Sequence, residues 1–523
     1  MMSTVLDEVL EGVEPLPELL SVMAGSKTPA VLALDVGTSG VRASLFDQRG
    51  NEIEDANVRL QTRNSAFDNF AHADADATFT LVAETIDRLF ERPHLATIRI
   101  EAIAVSCFWH SLVGINAEGN AITPVFTWAD TRAGAAVKEL RRRFDESAVH
   151  LRTGCRFHAS YWPAKLVLLR EDQPETYDSV RCWLSFGDYL VLRLFGETAT
   201  SVSMASATGL FNQHSKGWDD ELLRDLNISC ETLPEISRTD RVVYGLTSEY
   251  VERWPQLMNA RCFPPIGDGA ANNIGSGCIN RDNVALMIGT SGAMRVLCEG
   301  EPPEKLPSSL WCYRADERRI VIGGALSDGG GLYRWIRESM LAEQDSESIE
   351  TQLAGLVPDA HRLTVLPFWS GERSTGWSTD ARGAVIGLTL QTQPIEILGA
   401  AMEGIAYRFS LIAKALEPFA TGASIIASGT ALRSSPTWTQ MIADVLGRPV
   451  LLSHSMEASA RGAALLALEA MGRIDSIEAF PTTVETRFEP NLSRHARYQA
   501  GLERQMRFYE RLIEHERADA KAD

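Results

Sequence analysis

Three features are scarce in this sequence, and each shortage excludes a class of protein. Basic residues are outnumbered, because 50 Lys and Arg face 69 Asp and Glu and the formal net charge is −19. A nucleic-acid partner is therefore not expected, since phosphate neutralisation requires clustered basic side chains. The eight cysteines form no Cys-x-x-Cys pair, and no histidine cluster has zinc spacing. Reduced thiols in a cytoplasmic protein are the expectation that follows.

Long apolar runs are the third shortage. No run approaches the roughly 20 residues that cross a bilayer, so no membrane partner is expected. Residues 1–29 contain apolar side chains interrupted by acids and prolines. A secretory signal has a basic start and an unbroken apolar stretch instead. We interpret residues 1–29 as an N-terminal extension of the folded part.

Several common catalytic and nucleotide-binding motifs are missing as well. The sequence has no Gly-x4-Gly-Lys-Ser/Thr loop, no Gly-x-Gly-x-x-Gly after a strand, no Gly-x-Ser-x-Gly elbow and no His-Glu-x-x-His. These are the patterns of P-loop enzymes, dinucleotide-binding folds, α/β-hydrolases and zinc proteases. A nucleotide would therefore have to bind through another fold.

What the sequence does contain is one tetrapeptide twice. Gly-Thr-Ser-Gly stands at 37–40 and again at 289–292, each time between two apolar runs. Short apolar runs on both sides of a glycine turn predict a strand, a turn and a second strand. The chain of 523 residues also exceeds what one hydrophobic core usually serves. The repeat therefore predicts two α/β domains, with a boundary near residue 280.

Hydrophobic periodicity predicts further elements. Helices are expected over residues 78–91, 394–416, 435–447 and 457–471, and a surface helix over about 494–517. Strands are expected over 53–60, 98–107, 320–326 and 449–453, and a further hairpin over 112–120. Helical patterns dominate from about 132 to 255. This alternation is typical of an α/β protein with a helix-rich insertion.

The first hairpin carries groups that suit a phosphate. Asp35 ends the apolar run before the turn, and Thr38 and Ser39 add hydroxyls beside the glycines. Glycines leave backbone N–H groups uncovered, and such a turn can cradle an anion while a carboxylate organises a metal ion. The alternative is an ordinary hairpin turn that an aspartate caps.

Six segments in order resemble the FGGY carbohydrate kinases of the actin-like ATPase superfamily. They are LALDVGTSGVRASLFD (32–47), FTWADTRA (126–133), IGDGAANNIGSG (266–277), MIGTSG (287–292), GAVIGLTLQTQPIEILGAAMEG (383–404) and SGTALRSSPTWTQMIADVLGRPV (428–450). The resemblance implies an α/β fold of two actin-like (ribonuclease H-like) domains with an interdomain catalytic cleft. It implies an N-terminal domain at 30–280, which binds sugar and carries the catalytic aspartate. A C-terminal nucleotide-binding domain at 281–480 and a helical tail at 481–523 would follow.

The resemblance also implies a kinase site that uses ATP and Mg²⁺. Asp268 would be the general base that accepts the proton of a substrate hydroxyl, although an aspartate in Gly-Asp-Gly is otherwise often a turn residue. Asp35 would organise Mg²⁺ through water. The matched phosphate and nucleotide positions are Thr38, Ser39, Arg42, Gly289, Thr290, Ser291, Gly330 and Gly429. Ser428 and Thr430 depart from the usual family pattern on the adenosine side.

The matched substrate positions are Trp109, His110, Trp128, His158 and Asp268. Glycerol-specific members have Arg-Glu where Trp109-His110 stands, and xylulose-specific members usually have His-Gly where His110-Ser111 stands. The pattern most resembles the branch that phosphorylates gluconate. The carboxylate of gluconate calls for donors and positive charge, which His110, His158 and Arg132 could supply.

Two alternatives stay open. Xylulose, or another pentulose or polyol, could be the acceptor within the same family. A non-catalytic sugar or nucleotide sensor, or an actin-like ATPase, could also use this fold. Trp109-His110, Trp128 and Asp268 favour the kinase, because actin-like relatives need no dedicated sugar loop and a sensor could have lost the base. The small-molecule substrate is the expected partner, and a homodimer is possible.

Overall fold

The structure is a computed structural model that describes residues 28–62, 67–68, 72–454 and 457–514. Residues 1–27 of the expected extension and 515–523 of the expected tail lie outside the described residues. The strands are β1 (Thr28–Gly37), β2 (Gly40–Asp47), β3 (Glu52–Gln61), β4 (Phe67–Asp68), β5 (His72–Ala73), β6 (Ile98–Cys107), β7 (Val113–Ile115), β8 (Val125–Phe126), β9 (Cys182–Leu184), β10 (Ala199–Ser201), β11 (Phe211–Asn212), β12 (Gly217–Trp218), β13 (Glu235–Ser237), β14 (Arg261–Cys262), β15 (Ile266–Gly267), β16 (Asn283–Ile288), β17 (Gly292–Glu299), β18 (Trp311–Arg314), β19 (Arg319–Leu326), β20 (Thr364–Leu366), β21 (Ala384–Ile386), β22 (Ser424–Ser428), β23 (Val450–Ser453) and β24 (Val484–Phe488).

The α-helices are α1 (Ala75–Phe90), α2 (Gly134–Arg143), α3 (Glu146–Thr153), α4 (Trp162–Asp172), α5 (Pro174–Ser179), α6 (Phe186–Phe195), α7 (Val202–Ser206), α8 (Asp220–Leu226), α9 (Ser248–Arg253), α10 (Asp268–Gly275), α11 (Gly330–Met340), α12 (Ser346–Gly355), α13 (Pro394–Leu416), α14 (Thr430–Ser434), α15 (Pro436–Leu446), α16 (Ala458–Ala470) and α17 (Leu492–Tyr509). Short 3₁₀ turns lie at Pro93–Thr97, Cys230–Thr232, Pro255–Leu257 and Ile477–Ala479, and a π turn lies at Glu510–Glu514. Within the described residues, no helix is long and apolar enough to cross a membrane.

The first sheet has the strand order β14-β6-β1-β2-β3, and β15 also pairs with β6. β1 and β2 form the predicted hairpin, in which Asp35 lies opposite Arg42. β6 runs parallel to β1 with Ser106 beside Asp35, and β15 runs parallel to β6 with Gly267 beside Cys107. The carboxyl ends of β1, β6 and β15 therefore meet at one edge of the sheet.

The second sheet has the order β18-β19-β17-β16-β22-β23-β24. β16 and β17 form the predicted second hairpin, with Ile288 opposite Gly292 across the turn. β22 runs parallel to β16 on its other side, as β6 does beside β1. The two Gly-Thr-Ser-Gly turns therefore occupy equivalent places in the two sheets.

Local signals in the sequence explain why the longest helix was predicted accurately. α13 begins at Pro394, whose fixed φ suits the first helical turn. The carboxylate of Glu396 accepts a hydrogen bond of 2.8 Å from the Gln393 backbone N–H, which closes a capping box. The helices predicted over 78–91, 435–447 and 457–471 and the strands over 53–60, 98–107, 320–326 and 449–453 are confirmed with small shifts at their ends.

The hairpin predicted over 112–120 is confirmed at its turn, where the Asn116 N–H donates a hydrogen bond of 3.0 Å to the Asn120 carbonyl and the Ile122 N–H donates one of 2.9 Å to the Gly114 carbonyl. β7 pairs antiparallel with the distant β9, with Val113 opposite Leu184. A bridge also joins Ile115 to Ala121 across the predicted turn. The segment after the turn carries Pro124, which has no backbone donor for a longer ladder. The tertiary pairing with β9, which the sequence did not predict, is therefore added to a short local hairpin.

Two helices from opposite ends of the fold cross with their backbones in contact. α10 and α16 meet at Gly275 and Gly462, where an added Cβ would lie 1.8 Å from the carbonyl oxygens of Ala458 and Ala271 respectively. Although α16 follows the second sheet in the chain, its apolar side chains, among them Leu465, belong to the core around β1 and β6. The C-terminal part of the chain therefore completes the first core.

Candidate active site

Asp35 lies at the end of β1 in a network that the sheet register creates. Its Oδ2 accepts a hydrogen bond of 2.8 Å from Arg42 Nη1, the residue opposite it in the hairpin. Its Oδ1 accepts one of 3.0 Å from Ser106 Oγ on β6. Each carboxylate oxygen has more than one lone pair, so Asp35 can still accept hydrogen bonds from metal-bound water. Thr38 and Ser39 form the more exposed tip of the same hairpin.

Glu457 is part of this network, and sequence reasoning missed it. Its Oε2 lies 3.1 Å from Arg42 Nε, so Arg42 is held between Asp35 and Glu457. Burial raises the pKa of Glu457, Arg42 opposes that rise and the charge of Asp35 adds to it. Glu457 precedes α16 by one residue, far along the chain from the hairpin. The signal that could have found it is its place just before the alanine-rich helix that completes the first core.

Asp268 begins α10, directly after β15, at the same sheet edge as Asp35. The flanking glycines are required by Trp109, because a Cβ on Gly267 would lie 1.8 Å from Trp109 Nε1 and one on Gly269 would lie 2.4 Å from its Cζ3. Trp109 is itself fixed by a hydrogen bond of 3.0 Å from Nε1 to the Ser203 carbonyl. The Gly-Asp-Gly sequence thus lets an indole pack across the backbone that presents the carboxylate.

The electrostatics of Asp268 suit a proton acceptor. Burial raises the pKa of Asp268 to about 6, while the positive charge of Arg295 lowers it and the negative charge of Asp35 raises it. The carboxylate accepts a hydrogen bond of 2.8 Å from the Gly269 backbone N–H. A base works best when its pKa lies near the operating pH. The carboxylate of Asp268 is therefore mostly ionised at neutral pH and still basic enough to take a proton.

A cavity beside Asp268 brings together most of the predicted substrate residues. Trp109, His110 and Trp128 line it with Asp268, and Ser291 of the second hairpin closes one side. Sequence reasoning missed the other large side chains in its wall, which are Tyr161, Arg295, Trp311, Tyr313, Arg373 and Trp377. Trp311 and Tyr313 stack with ring centroids 4.1 Å apart. The cavity has aromatic walls and a few polar groups, as small-molecule sites generally do.

His110 faces this cavity as a neutral ring. Its backbone has φ of +67°, and its Nδ1 donates a hydrogen bond of 2.7 Å to the Ala207 carbonyl. Burial lowers the pKa of His110 to about 3. Lys165 holds the loop in place through a hydrogen bond of 2.8 Å from Nζ to the His110 carbonyl. With Nδ1–H occupied, Nε2 can accept a hydrogen from a hydroxyl, but the ring supplies no positive charge.

His158 and Arg132 are not among the residues that line the cavity. His158 packs behind Trp377, with ring centroids 5.5 Å apart. Its Nε2 donates a hydrogen bond of 3.0 Å to the Glu372 carbonyl, and its Nδ1 accepts one of 3.2 Å from the Ser160 backbone N–H. Burial lowers the pKa of His158 to about 3, so it links two chain segments as a neutral residue. Arg132 is paired with Asp130 through bonds of 3.1 and 2.9 Å.

Arg373 supplies the cation that those residues do not. Its guanidinium carbon lies 4.7 Å from the centre of the Trp128 ring, and its Nη2 donates a hydrogen bond of 3.0 Å to the Leu326 carbonyl. Its Nε is buried with no hydrogen-bond partner in the described part of the chain. The neighbouring acid, Glu372, is engaged by Arg408 instead. The signal in the sequence was a charged pair in a glycine-flanked run, Gly-Glu-Arg-Ser-Thr-Gly.

A second cavity lies on the other side of the second hairpin. Gly289, Thr290 and Gly330 line it with Thr430, and Tyr333 stacks on Trp438 with centroids 5.9 Å apart. Arg334, Arg337, Ala431, Ser434 and Ser435 complete the lining. Trp438 is 1% exposed, so the partly exposed ring of Tyr333 supplies the accessible aromatic surface of this cavity. The second hairpin therefore separates the cavity beside Asp268 from this one.

The predicted glycines of the second cavity are needed for close backbone contacts. The Gly330 N–H donates 2.8 Å to the Gly289 carbonyl, and a Cβ on Gly330 would lie 2.6 Å from that oxygen. Gly429 has φ of +96°, and a Cβ there would lie 2.4 Å from the Ile288 carbonyl. Both glycines hold backbone against the second hairpin. Gly429 directly precedes Thr430 in the lining.

Comparisons with known proteins agree with this arrangement. The model of the FGGY family of carbohydrate kinases, N-terminal domain, matches residues 30–271, and that of the C-terminal domain matches residues 284–471. Gluconokinase of Bacillus subtilis is 28% identical over 464 residues, covering 86% of this chain and 90% of that protein. Glycerol kinase of Paracidovorax citrulli is 29% identical over 489 residues, covering 88% and 95%.

Solved structures are similar along nearly the whole chain. Gluconate kinase from Lactobacillus acidophilus superposes with a TM-score of 0.82 at 28% identity, covering 93% of this chain and 98% of that one. Ligand-bound xylulose kinase from the same organism also has a TM-score of 0.82 and 28% identity, covering 92% and 98%.

Proposed function

Because the chain belongs to the FGGY family of carbohydrate kinases, we propose that it transfers the γ-phosphoryl group of ATP to D-gluconate, giving 6-phosphogluconate. The similarity to proteins named gluconokinase and gluconate kinase supports this acceptor. The charge balance of the cavity beside Asp268, here called the sugar cavity, supports gluconate as the acceptor independently.

One observation carries the choice of a sugar acid. Among the described residues that line the sugar cavity, the charged side chains are Asp268, Arg295 and Arg373, because His110 is neutral. The lining therefore holds one more cation than anions. Burial lowers the pKa of Arg373, and a buried charge without a partner is costly. A substrate carboxylate would neutralise Arg373, whereas a neutral polyol would leave it unpaired.

The mechanism assigns the chemical step to Asp268. Its carboxylate accepts the proton of the substrate hydroxyl as that oxygen attacks the γ-phosphorus, and the bond from phosphorus to the bridging oxygen of ADP breaks. Phosphoryl transfer needs little covalent work from the protein beyond alignment and charge stabilisation. Trp109 fixes the backbone that carries the base, and the neutral His110 accepts a hydrogen bond from another substrate hydroxyl.

The two hairpins hold the phosphates from opposite sides. Thr38, Ser39 and Arg42 would contact the transferring phosphate from the first hairpin, and residues 289–291 would contact it from the second. Asp35 would hold Mg²⁺ through water, and the ion would neutralise charge on the phosphate oxygens. Mg²⁺ fits this place because the carboxylate oxygens of Asp35 keep free lone pairs. Asp35 also lies at the same sheet edge as Asp268. The adenine base would lie in the second cavity against Tyr333, beside Gly330 and Gly429.

The domain roles follow the same division. We propose that residues 30–280 bind the sugar and carry the base and that residues 281–480 bind the nucleotide. The helical tail expected at 481–523 was wrong as a separate unit, because it supplies β24 to the second sheet and Gln505 of α17 donates hydrogen bonds to the Val365 and Gly404 carbonyls. We also place the reaction in the cytoplasm. All eight cysteines are free thiols, which suits a reducing compartment.

The second candidate acceptor is a neutral ketose such as xylulose. The neutral His110 ring and the aromatic walls would suit a polyol without a carboxylate, and one solved xylulose kinase has the same TM-score as gluconate kinase. The two acceptors differ in whether they carry a negative charge that Arg373 can neutralise. A neutral ketose gains little from a cation at that position.

The test compares acceptors and one arginine. Release of ADP is measured with gluconate, xylulose, ribulose and glycerol, first for the wild type and then for Arg373→Gln. Loss of a charge-assisted contact should raise KM for gluconate about 10- to 100-fold and change KM for neutral acceptors little. Arg132→Gln is the matched control, because Arg132 is paired with Asp130 outside the cavity. Equal effects of Arg373→Gln on all acceptors would refute the sugar-acid assignment, and no stimulation by any acceptor would refute the acceptor class.

A further inference from the structure

Glu372 is a buried carboxylate directly before Arg373 in the chain. In the described part of the chain its ion pair is with Arg408 of α13 and not with Arg373, and the side chains of Glu372 and Arg408 are both fully buried. Glu372 Oε2 also accepts a hydrogen bond of 2.8 Å from the hydroxyl of Tyr509 at the end of α17. Two helices whose side chains lie outside the lining of the sugar cavity therefore hold the acid next to the cation of that cavity.

The same carboxylate folds the loop that follows it. Glu372 Oε1 accepts a hydrogen bond of 3.0 Å from the Gly376 backbone N–H, and Oε2 accepts one of 3.2 Å from the Ser378 backbone N–H. Residues 372–378, here called the arginine loop, are thus tied to one buried side chain. Gly376 also leaves room for the tyrosine, because a Cβ there would lie 1.8 Å from Tyr509 Oη. The arginine loop and the end of α17 therefore fit each other closely.

Stability alone does not explain the buried ion pair of Glu372 and Arg408. Taking two charges out of water costs free energy that their attraction only partly returns, and a well-packed apolar pair often stabilises a protein as well or better. A satisfied buried polar network can instead fix one geometry of the segments that it joins. The segment joined here carries Arg373, whose Nε is buried with no hydrogen-bond partner among the described residues. The position of the Arg373 guanidinium therefore depends on the loop that carries it.

The carboxylate of Glu372 would compete with the substrate if it were not held. An acid that pairs with Arg373 would neutralise it, and the arginine would then no longer attract the carboxylate of an acceptor. We propose that Tyr509 is a positioning residue for acceptor selectivity, which with Arg408 holds the carboxylate of Glu372 away from the Arg373 guanidinium. This role rests on the proposed function, in which Arg373 binds the carboxylate of a sugar acid. The C-terminal helix of the described chain thereby affects which acceptor is bound.

The test removes one hydroxyl from the full chain. Tyr509→Phe loses the hydrogen bond to Glu372 but keeps the ring, whose centre lies 4.6 Å from the Arg408 guanidinium carbon and 5.8 Å from the centre of the Phe368 ring. KM for gluconate, measured by ADP release, should rise about 2- to 30-fold, the range expected for a residue that acts through another. The turnover number, KM for ATP and KM for neutral acceptors should stay unchanged, and the far-ultraviolet spectrum should match the wild type.

A double variant distinguishes this role from general packing. In the Arg373→Gln background, Tyr509→Phe should cause no further rise in KM for gluconate, because the hydroxyl acts through the cation and the two effects do not add. Tyr498→Phe is the matched control. Tyr498 is also a buried tyrosine of α17, but its ring packs against Tyr407, so this variant should leave KM for every acceptor unchanged.

The outcomes separate the role of Tyr509 from the proposed function. If Arg373→Gln leaves KM for gluconate unchanged, the sugar-acid assignment fails and the role of Tyr509 fails with it. If Arg373→Gln raises that KM but Tyr509→Phe does not, only the role of Tyr509 is overturned. The same conclusion follows if Tyr509→Phe raises KM equally for neutral acceptors or acts with full strength in the Arg373→Gln background.

Discussion

Burial raises the pKa of Asp268 and the positive charge of Arg295 lowers it, so replacing Arg295 should move the pH dependence of the enzyme. Arg295 lies on β17, and its side chain reaches α10, donating 3.1 Å to Asn273 Oδ1. A Cβ on Gly269 would lie 2.7 Å from Arg295 Nη1, so the guanidinium is close to the backbone of the base. The variant Arg295→Gln removes this charge. Asp35 on β1 remains, and its negative charge acts in the opposite direction.

The size of the effect follows from the pKa. Asp268 has a pKa of about 6, and loss of a neighbouring cation raises a carboxyl pKa by about 1 to 3 units. With the smallest of these shifts, to about 7, the ionised fraction at pH 6 falls from about one half to about one tenth. At pH 9 it stays close to one in both proteins. The variant should therefore have about one fifth of the wild-type activity at pH 6 and nearly all of it at pH 9 through this effect.

The direction is fixed by the role of the base. As the proposed base, Asp268 must be ionised to accept a proton, so activity should be lost as the pH falls through its pKa, and a higher pKa should move that loss to higher pH. The measurement is kcat/KM for the acceptor between pH 5 and pH 9, because this quantity reports groups of the free enzyme. Arg295 itself keeps a pKa of about 10, lowered by burial. Arg295→Lys should restore the acid limb, and an unchanged limb in Arg295→Gln would refute the coupling.

Three further outcomes are expected. Asp268→Asn should lower kcat about 10²- to 10⁴-fold while calorimetry still detects ATP binding, and retained turnover would remove Asp268 from the base role. Gly267→Ala puts a Cβ 1.8 Å from Trp109 Nε1 and should lower the thermal midpoint through a loss of about 1–3 kcal/mol. Gly355→Ala, where a Cβ meets nothing within 4 Å, is its control, and equal midpoints would contradict the packing argument. Asp35→Asn should raise the Mg²⁺ concentration for half-maximal turnover about 10-fold or more, and an unchanged requirement would count against the metal role.

The parts of the fold that the sequence predicted are those with local causes. The hairpin at Asp35 follows from two apolar runs around a glycine turn, and α13 follows from Pro394 and Glu396 at its start. The pairing of β7 with β9 could not be predicted in this way, because the two strands lie about seventy residues apart and no local signal joins them. The same is true of α16, whose alanines contact a core built from strands at the other end of the chain.

The candidate site divides in the same manner. Asp268 was identified through its flanking glycines and the family motif. The structure shows why the glycines are needed, because Trp109 packs across the backbone at both positions. No motif marks Arg373 in the sequence. Its place in the candidate site depends on a cavity that distant segments of the chain form together. His158 was expected to contact the substrate because it matches a family position and could supply a donor and positive charge to a carboxylate. Its two ring nitrogens are instead used by backbone groups, which a sequence does not reveal.

The contact between α10 and α16 determines when the first core can be completed during biosynthesis. A ribosome that has made the first sheet and α10 must add nearly two hundred residues before α16 can cover β1 and β6. At the usual rate of elongation this takes about 10 to 40 s. During that interval the nascent chain carries an uncovered apolar sheet face, which chaperones can bind. The first domain of this enzyme is therefore begun early in translation and finished only near its end.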